Sequence, residues 1–528
     1  MESTTISASV EWLDAIRKAV TATDGSRQAV LDAVHSDLKA QPDRAPLAVA
    51  FTEALIELVG YAAAPDSDSA NAVDLEVEAI AASRRIMRPL LETKLQARLD
   101  ALDRKNVGES ECKSCDASAE SQGRIARSWM SFFGGLSLRR RYRYCEICDE
   151  GSAPAQQALG LASGEFTPRL EEAATMMTTT VSHGMAQELL LRLLGLDVSV
   201  KALEDMTERR ATAVQAIEQE EVEKYTPFDA KGLPVSAQAR PADAVAENQA
   251  PNVAYLEVDG VSALTRQELT GKDLTPADKR RQRRAKQEKA RGGKGRRYCT
   301  AGKEVKNAVL YDGKAYAEES PSHGRILEKT YVSHLGNWMG FAVLLWVAML
   351  RKRFDQAKLL VVISDGAEWI RSLAAWLPIP CFLILDLYHV KRRIWEVAHS
   401  QYGEENVEGS KWANIQCERI EQGQARDVIT ALSFLRSRKT KTQKLIEDLA
   451  GWLTNNRDRM DYPTYRARGL RISSSAIESA NFHVTGQRLK VQGTRWSEPG
   501  AAQMATLRAD LFNGYWEKRT QKVLAAAA

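Results

Sequence analysis

The sequence predicts a multidomain α/β protein, in which a mixed-sheet catalytic core is interrupted by an all-helical insertion and preceded by a cysteine-bearing segment and a helical region. Three observations carry this. A chain of 528 residues exceeds what one hydrophobic core organises, so three or four domains are expected. Between Tyr255 and Leu387 short apolar runs alternate with helical stretches, the pattern of a sheet covered by helices. Four of the seven cysteines are grouped as Cys112-x-x-Cys115 and Cys145-x-x-Cys148.

Composition narrows the class. A 44% hydrophobic and 27% charged chain is ordinary globular protein. Apolar runs such as Trp338–Leu350 are too short to span a bilayer. The opening Met-Glu-Ser-Thr-Thr has neither the basic nor the apolar region of a signal peptide, so a cytoplasmic protein is expected. The net charge of +4 conceals a gradient: the first hundred residues sum to about −6, leaving the remainder clearly basic. Such a chain presents its central and C-terminal parts to a polyanion.

Residues 1–105 read as helical, with Ile86, Leu90, Leu91, Leu95, Leu99 and Leu102 at helical spacing and Pro89 marking a kink or boundary. Residues 106–150 hold the four cysteines. The 29 residues between the pairs contain Gly134-Gly135 and the basic-aromatic run Arg139-Arg-Arg-Tyr-Arg-Tyr144. In a cytoplasmic chain seven cysteines argue against a disulfide framework, and two facing Cys-x-x-Cys knuckles point to a zinc ribbon rather than to a pair of redox motifs, because four thiolates match tetrahedral Zn²⁺. Cys299, Cys381 and Cys417 are scattered and read as incidental.

Residues 151–227 turn helical. Thr167-Pro168 is a plausible helix start, and helices near Met185–Leu194 and Ser199–Glu218 flank Gly195 with helix-turn-helix spacing. Residues 228–250, rich in Ala, Pro and small polar residues, read as a linker. The core begins at 251. Strands are expected at Tyr255–Ala263, Glu304–Tyr311 and Glu328–Ser333, then a helix at Trp338–Leu350, a buried strand at Lys358–Ser364, a short helix, and a strand at Cys381–Leu387. That is the order of an RNase H-like mixed-sheet core. Residues 400–470 are charged and helical, an insertion dividing the core (251–399) from its C-terminal part (471–528).

Three acids stand where phosphoryl-transfer chemistry needs them. Asp259 closes the run Tyr255-Leu-Glu-Val-Asp259, Asp365 follows Leu359–Ser364, and Glu478 lies in a helix starting near Ser474. Each is singly explicable as a turn or surface residue. As a set, the first and fourth strands are neighbours, so their ends bring the two aspartates within about 5 Å. Hard carboxylate oxygens suit Mg²⁺ or Mn²⁺, and a pair of such ions clamps both oxygens of an in-line displacement at phosphorus. Asp386, in Leu385-Asp-Leu-Tyr-His389, points to the same edge; periodicity leaves it and Glu478 both open for the third position. His389 is placed to meet a phosphate or orient a carboxylate.

Two basic elements complete the case for DNA. Lys279 to Arg297 holds eleven Lys or Arg and one Glu in nineteen residues, including Lys279, Arg280, Arg281, Arg283, Arg284, Arg296 and Arg297. This reads as a solvated loop whose density neutralises phosphates. After Glu478 come Arg488, Lys490 and Arg495, able to hold a DNA backbone, with Trp496 able to stack on a base.

From the cysteines to the C-terminus the chain resembles the DDE transposases of bacterial insertion sequences, in the Mutator-like branch (the Kra-type group). The resemblance rests on the Cys-x-x-Cys pairs, Val258-Asp259-Gly260, Ser364-Asp365-Gly366-Ala367-x-Trp369, Leu385-Asp386-x-Tyr388-His389-Val390, and a C-terminal block. That block contains Ala476-Ile477-Glu478-Ser479, Gln487-Arg488-x-Lys490, Gly493-x-Arg495-Trp496 and Leu507-Arg508-Ala509. It implies Asp259, Asp365 and Glu478 as the metal-binding triad, with Asp386 and His389 as an auxiliary Asp-x-x-His element. It implies hydrolysis at transposon ends in double-stranded DNA, strand transfer by the freed 3′-hydroxyl, and a homo-oligomer that holds two ends. Two features depart from the pattern: Ser473-Ser-Ser475 replaces a Gly-Ser-Gly-like turn, and the first hairpin carries the basic loop. The competing expectations are a nuclease of the same fold that does not join, and a domesticated DNA-binding protein without catalysis.

Overall fold

The structure is a computed structural model that describes residues 32, 45–63, 71–105, 112, 114–161, 164–229, 239–268, 276–292, 298–320, 323–491 and 493–527. The chain divides into two compact units, one made of Met1–Thr178, His183–Met206 and Thr520–Ala528, the other of Thr179–Ser182 and Thr207–Arg519.

In the first unit, α1 (Ala45–Ala63) packs on α2 (Ala72–Lys105). α2 runs unbroken through Pro89; one missing backbone donor does not end a helix held by packing along its length. Strands β1 (Glu120–Ser131), β2 (Gly134–Cys145) and β3 (Glu150–Ser152) form an antiparallel sheet in that order. Trp129 and Leu138 bury one face against Leu99 of α2. β3 pairs with β2 only from Arg143 to Cys145, so the rest of that edge needs another partner. α2 supplies it. The N–H groups of Ser137, Arg139 and Arg141 donate to Glu92 (3.2 Å), Gln96 (2.8 Å) and Asp103 (3.3 Å), acceptors spaced along one helical stripe.

The chain continues through α3 (Pro154–Ala158), α4 (Pro168–Thr180), α5 (His183–Leu194) and α6 (Val200–Tyr225). Gly195, at φ +54, ends α5 in the left-handed conformation that favours glycine. The expected helical pair around it is therefore present.

The second unit is built on a five-stranded mixed sheet. Its strands are β4 (Val253–Glu268), β5 (Tyr298–Asp312), β8 (Thr330–Leu335), β9 (Leu359–Ser364) and β10 (Cys381–Leu385); β6 (Tyr316–Ser320) and β7 (His323–Ile326) form a separate hairpin. The spatial order is β10-β9-β4-β5-β8. β4 runs parallel to β9 and antiparallel to β5.

The two-residue period of β4 splits its side chains between two layers. Ala254, Leu256 and Val258 pack under α8 (Trp338–Arg351) and α9 (Glu368–Trp376). Tyr255 packs with Val361 and Ile384 under α10 (Leu387–Tyr402) and the inserted helices α11 (Val407–Glu421), α12 (Ala425–Phe434), α13 (Thr440–Asn455) and α14 (Tyr462–Ala467). Glu257 and Asp259 share this second face.

Two expectations are corrected. Asp259 does not end its strand: β4 continues nine residues past it, paired with β5 up to Glu268↔Tyr298. Beyond the reach of β9 and β8, which pair only as far as Val258 and Val305, the two strands continue as a two-stranded arm whose base packs through Ala263 on Leu489 and Met504. The basic segment is not a loop over most of its length; Pro276–Ala290 is helix α7, as the helix propensities of Lys, Arg, Gln and Ala favour. The side chain of Arg281, with Arg296, Arg297, and parts of the expected N-terminal and linker segments (1–31, 33–44, 230–238), lies outside the described residues.

Candidate active site and thiol cluster

Register places the aspartates. Val258 pairs with Ser364 in the parallel ladder, so the next residues, Asp259 and Asp365, leave it side by side. After Asp365 the chain must turn, and Gly366 does so at φ +85; a Cβ there would meet Leu385 Cδ1 at 2.7 Å and Asn456 at 3.2 Å. Asp365 Oδ1 accepts from Ala367 N at 3.0 Å. Burial, then the neighbouring Asp365 charge, push the Asp259 carboxyl up to about 6, against the opposing pull of its hydrogen bonds. A divalent cation relieves repulsion of the kind that raises Asp259.

Each oxygen of Asp259 has one donor. Oδ1 accepts from Gly260 N at 2.7 Å and Oδ2 from Asn481 Nδ2 at 2.6 Å. A lone pair remains on each.

Glu478 is exposed on helix α15 (Ser475–Ala480), which continues as a π-helix over Asn481–Gly486. Hydrogen bonds tie this helix and its π-helical continuation to the sheet. Asp386 Oδ2 accepts from Ser474 N at 2.8 Å and from the Ser474 hydroxyl. Glu257 Oε2 accepts from Ile477 N at 2.9 Å. Asn481 bonds Asp259. Among the described residues the carboxylates do not form a group of three with ligand atoms all within 4.8 Å; only the cysteine set does.

Asp386 is buried and fully engaged, its other oxygen accepting from His389 N at 2.9 Å to cap α10. His389 Nδ1 pairs with Arg392 at 2.8 Å. Burial, then Arg392, hold the His389 pKa down while Asp365 opposes them. A guanidinium can only donate, so Nδ1 accepts from Arg392 and the ring proton sits on Nε2.

Of the basic residues, Lys279, Arg280, Arg283 and Arg284 are exposed on α7, and Lys490 and Arg495 are exposed near the C-terminal block. Arg488 is buried, its guanidinium 5.1 Å from the Trp496 ring. The Trp496 backbone extends the arm, accepting from Arg266 N at 2.6 Å and donating to Leu264 O at 3.2 Å.

Sequence reasoning passed over four residues. Glu257 had a signal, an acid two positions before Asp259 inside an apolar strand. Asn481 had one too, a single helical turn after Glu478. Asn307, whose amide bonds Asn481, and Arg459 had none. Arg459 is a buried guanidinium whose cation feels Asp365 and has no hydrogen-bond partner among the described residues.

In the other unit, the sulfurs of Cys112, Cys115, Cys145 and Cys148 lie within 4.8 Å of one another and can hold a metal ion. Hydrogen bonding from the Ser114 backbone lowers the Cys112 thiol to about 7.

The model of UPF0236, an uncharacterised protein family, matches residues 319–523. That span contains Asp365, Asp386, His389 and Glu478 but neither Asp259 nor the four paired cysteines. Among solved structures, a Drosophila P element transposase strand transfer complex is similar at 10% identity and a TM-score of 0.20, over 68% of this chain and 82% of that chain. Comparison with curated proteins gives no match. No helix among the described residues is long and apolar enough to cross a membrane.

Proposed function

We propose that this protein is a DDE transposase of an insertion sequence, cutting transposon ends and joining them to target DNA on an RNase H-like core. The reading is carried by one observation: adjacent parallel strands release Asp259 and Asp365 side by side, on the face where α15 is pinned with Glu478. The sheet order supports it, since the five strands counted along the chain lie 3-2-1-4-5, the first three antiparallel and the last two parallel.

Asp259, Asp365 and Glu478 would hold two Mg²⁺ (or Mn²⁺) ions, which polarise a phosphodiester and lower the pKa of the attacking oxygen when bound. Asp259 would hold the ions with the lone pair left on each of its oxygens. His389, with its proton on Nε2, would donate to a phosphate oxygen beside Asp365. Lys279, Arg280, Arg283 and Arg284 on the arm, with Lys490 and Arg495, track the backbone of double-stranded DNA. The thiol set suits structural Zn²⁺, because four soft thiolates match its tetrahedral preference. Holding two ends at once requires a homo-oligomer on DNA, and the site of action is cytoplasmic.

The test is an assay with paired end fragments, target DNA and Mg²⁺. The native chain is expected to give free 3′ ends and joined products, and Asp365→Asn to give neither while binding DNA within about twofold. Cleavage without joining would favour a nuclease; substantial cleavage by Asp365→Asn would remove the site assignment.

A further inference from the structure

Asn481 reaches Asp259 through a chain of side chains that orders its amide. Asn307 is buried on β5, in register with Asp259. Its Nδ2 donates to Asn481 Oδ1 at 2.8 Å and to Thr485 Oγ1 at 2.9 Å, and its Oδ1 accepts from the Ser333 hydroxyl at 2.7 Å. Because Asn307 presents its amino group to Asn481 Oδ1, the Asn481 amino group must face the other way, toward Asp259 Oδ2.

We propose that Asn481, oriented by Asn307, is a positioning residue that sets the carboxylate plane of Asp259 and locks it to the helix bearing Glu478, so that the ligands on β4 and α15 act as one preorganised body toward divalent ions. This rests on the reading of Asp259 as a metal ligand. The π-helical stretch is what makes the link. Its wider turn brings Asn481 toward β4 and Thr485 toward Asn307, and such turns cluster at functional sites. Arg508 maintains the stretch, donating to Val484 O at 2.6 Å and also to His483 O. Outer-shell partners of this kind typically change metal affinity 10–100-fold when removed.

Two variants separate the role from mere packing. Asn481→Ala deletes the donor. Asn307→Asp is nearly isosteric but turns the amino group into an acceptor, so the Asn481 amide must turn over and aim its oxygen at Asp259. The measurement is calorimetric Mn²⁺ binding to the zinc-loaded full chain without DNA, followed by melting temperature and DNA affinity. Both variants are expected to lose at least tenfold in Mn²⁺ affinity, with DNA binding within twofold and Asn307→Asp still folded. Mn²⁺ affinity within twofold of the native chain in folded Asn307→Asp would overturn the positioning role. Asp259→Asn is the reference: if it binds Mn²⁺ as the native chain does, the metal reading itself fails and this inference falls with it.

Discussion

Glu257 accepts a hydrogen bond from the backbone N–H of Ile477 at 2.9 Å across 220 residues of sequence. The same carboxylate accepts from the Tyr311 hydroxyl at 2.7 Å. A residue fully buried in a strand thus caps the helix that carries Glu478, satisfying an N–H that the first turn of a helix leaves unpaired.

Substitution should therefore depend on whether the acceptor survives. Glu257→Leu leaves a buried N–H and a tyrosine hydroxyl without their acceptor and should destabilise the chain by about 2–4 kcal/mol. Glu257→Gln keeps an acceptor oxygen for Ile477 and should lose less than half of that. Urea unfolding followed by circular dichroism measures both; equal stability of the leucine variant and the native chain would refute the capping role.

The raised carboxyl of Asp259 sets a pH dependence. Its folded value of about 6 lies above the ordinary aspartate value, so the unfolded state releases this proton first. The group's contribution to stability is then full below about pH 4, falls as pH rises through 6, and stays low above it. Divalent ions bind the ionised pair, so stabilisation by 10 mM Mg²⁺ (roughly 1–3 kcal/mol) should appear at pH 7.5 and vanish near pH 5. Thermal melts with and without Mg²⁺ at both pH values decide it; a shift of equal size at both would contradict the assignment.

The thiol cluster should couple metal to folding in its own unit. Cys145→Ser, or a strong chelator, is expected to release one Zn²⁺ per chain and to open the β1–β3 sheet to hydrogen exchange. Atomic absorption and exchange mass spectrometry provide the readout. Retention of stoichiometric zinc by the serine variant would rule out a four-thiolate site.

Arm helix α7 should act through charge rather than sequence. Replacing Arg283 and Arg284 together with Gln should weaken binding alike for end and unrelated duplexes. It should also lower the slope of log affinity against log salt by about 2. An unchanged slope would mean the helix does not meet DNA.

Much of the core was legible because local chemistry dictates it. The apolar runs at Leu359–Ser364 and Trp338–Arg351 can only be a buried strand and a buried helix, and Asp365-Gly366 can only be a sharp turn after the first of these. The arm was not legible. Residues 261–268 and 298–304 outrun β9 and β8 and pair with each other, with Trp496 bridging Thr265, and how far a hairpin outruns its neighbours is set by those neighbours. Helix α7 was obscured because charge density reads equally as loop or as solvated helix until one counts helix formers.

Which residue types are available for chemistry is legible in the chain alone: paired thiols, strand-borne aspartates, a helical glutamate and a dense run of cations. Tertiary structure alone decided which of them face one another. Asp386 sits in a buried clamp on Ser474, Arg488 under Trp496, and Asn481 against Asp259. The reason is physical. Periodicity fixes the face on which a side chain emerges, but the partner across that face comes from a distant segment, and its choice depends on register, helix entry angle and the satisfaction of buried polar groups.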